Sequence, residues 1–257
     1  MPLNTISPDL MKKQATYFVF FPKITEINLE VWYNIMLINA NRLDYKALND
    51  NIRKVQGNCT ITNCCGQRFI AVGMSNKEIT IDGVPGNALG AYLNGATIIV
   101  NANAQDAVGD TMNEGKIVIH GNIGDAAGYA MRGGKIFVKG NAGYRAGIHM
   151  KAYKDKAPLM VIGGTAGSFL GEYQAGGTII VLGLGCKGVP VGNFCGMGMH
   201  GGRIFLRTEE LPPDLSQRLV CAPATPEEMD SIRPALERFC AFFRQDEKEL
   251  FQKPFYC

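Results

Sequence analysis

At 257 residues, 46% of them hydrophobic, the chain is long enough to bury a sizeable core without disulfide or metal staples. A formal net charge of only +3, with no Lys/Arg stripe and no interleaved aromatic platform, argues against nucleic acid as a partner. No stretch reaches membrane-spanning length, and the eight cysteines include no C-x-x-C pair, so they read as free thiols of a reducing cytoplasm rather than zinc or iron–sulfur ligands.

The front of the chain, Met1 to about Ile38, has no clear periodicity and holds the single tryptophan, Trp32. Its apolar run Tyr17–Phe21 is too short for a secretory signal and ends at Pro22. Residues 1–37 are expected to be an extension without a recognised counterpart, with Met36 as the native start. A short helix follows near Asp44–Val55, with Tyr45, Leu48, Ile52 and Val55 on one face. Cys59 to about Gly73 reads as strand, including Arg68–Val72.

From about Glu78 to Leu206 the chain repeats itself every 19 residues. An apolar strand position recurs at Ile79, Ile98, Ile117, Ile136, Met160, Ile179 and Ile204. A glycine keeps the same beat at Gly90, Gly109, Gly128, Gly147, Gly171 and Gly196. Each glycine precedes the next strand position by 8 residues, except for 13 between Gly147 and Met160. Each strand position precedes the next glycine by 11, except for 17 between Ile179 and Gly196. Two local insertions account for both irregularities. A unit reads as Gly-Asn-x-Gly-x-x-x-Gly, then Gly or Gly-Gly, then a β-branched strand of about four residues. Gly121-Asn122-Ile123-Gly124 through Gly128, closed by Lys135-Ile136-Phe137-Val138, is the clearest copy.

A period of 19 is too short for paired-helix repeats and fits one coil of a parallel β-helix, whose coils stack about 4.8 Å apart. The strand positions then form an interior apolar ladder. The predicted class is all-β, a single-stranded parallel β-helix of six to seven coils with short flanking helices. The domain is expected over 38–257, with coils at about 78–206 and a helical tail at about 207–257. In that tail Thr225-Pro226-Glu227-Glu228 is a capping box with proline at the first helical position, opening a helix to about Phe243. Asp246–Glu249 opens a second. The longer helix is expected to cover an open end of the stack or to dock on its flank.

The motifs Gly83-Val84-Pro85-Gly86-Asn87, Asn103 to Gly109, Gly143-Tyr144-Arg145-Ala146-Gly147-Ile148-His149-Met150-Lys151, Gly163 to Gly167, Phe169 to Tyr173 and Val191 to Phe194 resemble the GXGXG domain that closes the large subunit of glutamate synthase. The helix Leu43–Arg53 and the ending Glu249–Phe255 are similar to the stand-alone, archaeal-type version. The resemblance spans about Ile38 to Phe255. It implies a right-handed β-helix acting as a scaffold, with no catalytic, cofactor-binding or metal-binding residue in this chain. It also implies two partners: a glutamine amidotransferase subunit, and a synthase subunit carrying FMN and an iron–sulfur cluster that makes glutamate from 2-oxoglutarate. The expected location is cytoplasmic.

Several residue sets invite sharper chemistry. Asp106 and Asp125 share one coil position, at a separation suited to paired carboxylates, but Asn87, Tyr144, Ser168 and Asn193 continue the column. Asn, Asp and Ser bond turn backbone, so a turn-capping column is the favoured reading. Asn103, Asn122 and Asn141, followed by Thr165, are expected to form an internal hydrogen-bonded ladder. The Gly-x-Gly-x-x-Gly runs recur in every coil without the strand-to-helix context of a dinucleotide site. His120, His149 and His200 have no ligand spacing, and Cys195 near His200 reads as core filler.

The insertions Lys151–Pro158 and Gly183–Pro190 are expected on the surface. Lys151, Tyr153, Lys154 and Lys156 are the candidate partner interface, meeting an acidic region of another subunit. Two rival functions remain open: the related β-helix subunit of formylmethanofuran dehydrogenase or a formyltransferase/hydrolase complex, and an autonomous β-helix enzyme acting on polysaccharide.

Overall fold

The computed structural model describes residues 36–257; Trp32 and residues 1–35 of the expected extension lie outside the described residues. Nine strands run parallel in one sheet, in chain order. They are β1 (Met36–Asn39), β2 (Cys59–Cys65), β3 (Glu78–Val84), β4 (Asn94–Val100), β5 (Glu114–Ile119), β6 (Lys135–Val138), β7 (Leu159–Ile162), β8 (Ala175–Val181) and β9 (Gly201–Arg207). A tenth, β10 (Phe255–Tyr256), closes the last edge antiparallel to β9. The result is a β-solenoid of about 8 turns with about 19 residues per turn.

The register gives the repeat its physical content. Ile79, Ile98, Ile117, Ile136, Met160, Ile179 and Ile204 pair in one continuous column. Two residues on, Ile81, Val100, Ile119, Val138, Ile162, Val181 and Leu206 form a second column. Side chains alternate across a strand, so both columns face the interior, and every member is buried except Ile204, half-buried in the final coil.

The stack starts two strands before the glycine and isoleucine beat shows it. Cys59 pairs with Ile79, and Met36 with Cys59, so Met36 and Leu37 belong to the ladder rather than to the preceding stretch. Arg68–Val72 is a turn and not a strand: Phe69 and Ala71 have φ of +57° and +60°.

Opposite the strands, each coil carries a turn with left-handed residues at the repeat glycine and two positions either side. Gly109 is typical. Its φ is +70°, and an added Cβ would come within 2.6 Å of Ile136 Cδ1, one coil further along. Gly90 meets Ile117 in the same way, and Gly171 meets Ile204. The two beats are therefore one constraint: Gly90, Gly109, Gly147 and Gly171 vacate the volume that the next coil's isoleucine fills, and Gly128 does so for Met160.

Helix α1 (Tyr45–Lys54) is inserted after β1 and closes the first end, with Leu48 and Ile52 in the interior cluster. The buried Asn49 amide donates to Phe69 O at 2.9 Å, and its oxygen accepts from Ala71 N, satisfying the terminal coil's backbone. Helix α2 (Pro226–Phe243) opens with the expected capping box and docks on the flank, not the end. Its Ile232, Leu236, Phe239 and Phe243 cover an outward column of Val118, Phe137, Val161, Ile180 and Phe205. Helix α3 (Glu247–Leu250) is held by buried Arg207, which donates to Leu250 O and Glu249 O at 2.7 Å each. No helix among the described residues is long and apolar enough to cross a membrane.

Candidate interaction surface

Two columns of short polar side chains tie neighbouring coils together. Asn103 Oδ1 accepts from Asn122 N at 2.8 Å, Asn122 Oδ1 from Asn141 N at 2.7 Å, and Asn141 Oδ1 from Thr165 N at 2.8 Å. This ladder is on the surface rather than inside, and it runs side chain to backbone. The second column works alike: Asp106 Oδ1 accepts from Asp125 N at 2.9 Å, and Asp125 Oδ1 from Tyr144 N at 2.8 Å. Asn87 and Ser168 serve the same position. The Gly-Asn-x-Gly spacing follows, because a Cβ at Gly121 would collide with Asn103 Oδ1 and one at Gly124 with the Asp106 carboxylate. Asp125→Asn keeps an acceptor at that atom and is expected to shift the thermal midpoint by less than about 2 °C. Asp125→Leu removes the acceptor and is expected to cost about 1 kcal/mol in denaturant unfolding. Equal losses from both variants would count against a capping role.

Six of the eight thiols are held away from the thiolate form by burial. Burial pushes Cys64 and Cys257 up to about 11 and Cys195 up to about 12, and it also raises Cys59, Cys221 and Cys240. Cys59 and Cys195 sit in the interior cluster, whereas His200 is exposed. His120 packs edge-on against Phe243, and burial, helped by Lys139, lowers its pKa. Among the described residues no group of three or more His, Cys, Asp or Glu could hold a metal ion.

What the turns present outward is aromatic. Counting from the repeat glycine, the residues two before it are Arg145, Phe169 and Phe194, and two after it stand His149 and Tyr173. All five are left-handed, with φ between +53° and +62°. Bulky residues reach that region at about 1–2 kcal/mol each, and only where the surroundings hold them there. Coil stacking does so. Phe169 stacks on Phe194 at 5.0 Å, the Arg145 guanidinium lies 4.9 Å from the Phe169 ring centre, and Arg145 Nε donates to Glu172 at 3.1 Å. In the adjacent column His149 stacks on Tyr173 at 5.2 Å, and Tyr129 meets His149 edge-on. With exposed Tyr144, these form an aromatic face across the third to sixth glycine turns. Sequence reasoning quoted all of these residues but Tyr129 as motif and missed them as a surface. The signal was their fixed offset from the glycine.

The Lys151–Pro158 insertion folds into a tight hairpin in which Tyr153 and Lys156 pair antiparallel around Lys154 and Asp155. Lys151, Tyr153 and Lys154 are exposed, with Lys154 Nζ 5.4 Å from the Tyr153 ring centre. Lys156 instead binds its own chain, donating to Glu114 Oε2 at 2.7 Å. The hairpin leaves the stack between Met150 and β7, between the fourth and fifth of the glycine turns that carry the aromatic face.

Comparison with known proteins adds three findings. The model of the GXGXG motif family matches residues 34–255. An uncharacterised protein of Methanocaldococcus jannaschii is 46% identical over 224 residues, covering 82% of this chain and 86% of that protein. Among solved structures, a chain of the formyltransferase/hydrolase complex of Methylorubrum extorquens, crystallised with methylofuran, has a similar fold. The TM-score is 0.58 at 20% identity, over 76% of this chain and 71% of that one.

Proposed function

The chain belongs to the GXGXG motif family, and from that membership we propose that it is a structural subunit of a split glutamate synthase. In this reading it holds a glutamine amidotransferase subunit and an FMN- and iron–sulfur-containing synthase subunit together and supplies no catalytic group. One observation carries the reading. The stacked carboxylates that could have done acid–base chemistry are engaged by backbone amides one coil away. The exposed features are an aromatic face and a lysine hairpin, which suit contact with other proteins. Over the formyltransferase/hydrolase alternative, the glutamate synthase reading is favoured by the Tyr144–Met150 coil, whose Arg145 and His149 build that face, and by the terminal helices.

A second reading, a β-helix component of a formyltransferase/hydrolase-type complex, is favoured by the fold likeness to the Methylorubrum chain. Affinity purification of the tagged protein from its native cell separates them. The first reading expects a yellow, iron-containing assembly with glutaminase activity; the second expects formyl-transferring subunits. Lys151→Glu with Lys154→Glu is expected to weaken the assembly at low salt and less so at high salt, since exposed charge attraction is screened. Purification as a lone chain would contradict both readings.

A further inference from the structure

The outer flank of the stack carries a cavity of about 470 Å³ whose charged lining residues are all cations. Its floor is one register column across four strands: Lys135 on β6, Leu159 on β7, Thr178 on β8 and Arg203 on β9. One wall is α2, which lowers Arg238 over the floor, and the hairpin insertion contributes Ala157. The lining holds three cations and no carboxylate, and Lys135, Arg203 and Arg238 enter no salt bridge among the described residues. A fourth cation, Lys116, is the direct cross-strand neighbour of Lys135.

Like charges placed opposite each other in a sheet repel, and of the cavity cations Lys135 is half-buried while Arg203 and Arg238 are exposed. Burial, then Arg238 and Lys116, indeed depress the Lys135 ammonium. Carboxylates are available nearby in sequence, yet Asp230 pairs with Arg233, and Glu114 with Lys156. Lys135, Arg203 and Arg238 are thereby free to meet an anion from outside the chain. Lys135 and Arg203 are three strands apart, about 14 Å along the sheet, so positive charge lies at both ends of the cavity. Guanidinium groups match the planar geometry of carboxylate and phosphate oxygens. The volume suits a small molecule.

We propose that this cavity binds a small organic anion carrying two or more phosphate or carboxylate groups, held between Lys135 and Arg238 at one end and Arg203 at the other. The site is separate from the aromatic face and does not depend on the complex proposed above. It is tested on the full chain by thermal unfolding in inorganic triphosphate, in citrate and in sodium chloride of equal ionic strength. An anion applied at about one hundred times its dissociation constant raises the midpoint by about 5–10 °C. A response to triphosphate alone assigns a phosphate ligand, to citrate alone a carboxylate ligand, and to both the shared oxyanion chemistry.

The Lys135→Gln/Arg238→Gln double variant is expected to lose the shift while its midpoint without anion is no lower than that of the parent, because a repulsion has been removed. Arg203→Gln tests the other end independently by calorimetric titration and is expected to weaken binding at least tenfold. The proposal is overturned if neither anion exceeds sodium chloride, or if the shift survives in both variants.

Discussion

Gly109→Ala is expected to lower the unfolding free energy by about 2–4 kcal/mol, a large effect for a single methyl group. One part is backbone: φ of +70° is left-handed, where a residue with a Cβ is strained by about 1–2 kcal/mol. Alanine does occupy such angles here, at half-buried Ala107 and Ala126 and at buried Ala88, so the backbone part alone is tolerated. The other part is packing. The new Cβ would come within 2.6 Å of Ile136 Cδ1, whose side chain is fully buried, and overpacking costs about 1–3 kcal/mol. The two parts can be separated. Ile136→Val removes the colliding Cδ1, so the double variant should be more stable than the sum of the single losses predicts. Equilibrium denaturant unfolding provides the measurement. Strict additivity, or a Gly109→Ala loss below about 0.5 kcal/mol, would contradict the interlock between glycine and isoleucine columns.

Ile117→Ala probes the same interlock from the other side and is expected to cost about 2–5 kcal/mol. Ile117 is fully buried, pairs with Ile98 and Ile136, and its Cδ1 fills the space over Gly90. The cavity left behind resists collapse, because the coils are held at fixed spacing by backbone hydrogen bonds on both sides. His120 N donates to Val100 O at 2.9 Å and Lys139 N to Ile119 O at 2.9 Å, and neither bond can shorten to fill a void. The same substitution at half-buried Ile204 should cost markedly less, which makes the pair an internal control. Equal losses at the two positions would show that burial in the stack is not what Ile117 contributes.

The strand and glycine columns were legible because a solenoid converts position in the chain directly into position in space. Between Ile79 and Ile136 the register pairs are separated by the sequence period of 19, except Asn94 with Glu114, where the register shifts. The first two strands were hidden for a physical reason. Helix α1 stretches the interval from Met36 to Cys59, and cysteine, a small apolar residue, stands where later coils use isoleucine. The mistaken strand at Arg68–Val72 has a related cause: its apolar residues are those of a turn that buries Ile70 while turning Phe69 outward, a pattern that period counting cannot separate from strand alternation.

The asparagine ladder was read in the right register but on the wrong side of the wall, since an amide that bonds the backbone of the next coil can do so from the surface. The choice between end and flank for α2 had to await the structure. Its apolar partners Phe137 and Phe205 are strand residues on the outward side of the wall, and sequence alone offered no reason for that side to be greasy. The cation cavity was equally invisible, because Lys135, Arg203 and Arg238 are far apart in the chain and meet only through the register and the docked helix.

The claim that this rod of stacked coils works by holding other proteins is tested most directly by one assay. Glutamine-dependent formation of glutamate from 2-oxoglutarate is followed for the assembly isolated from the native cell, for that assembly stripped of this chain, and for the chain alone. The account predicts turnover by the first, loss of coupling between glutaminase and synthase in the second, and none by the third. Undiminished turnover without the chain, or turnover by the purified chain on its own, would contradict it.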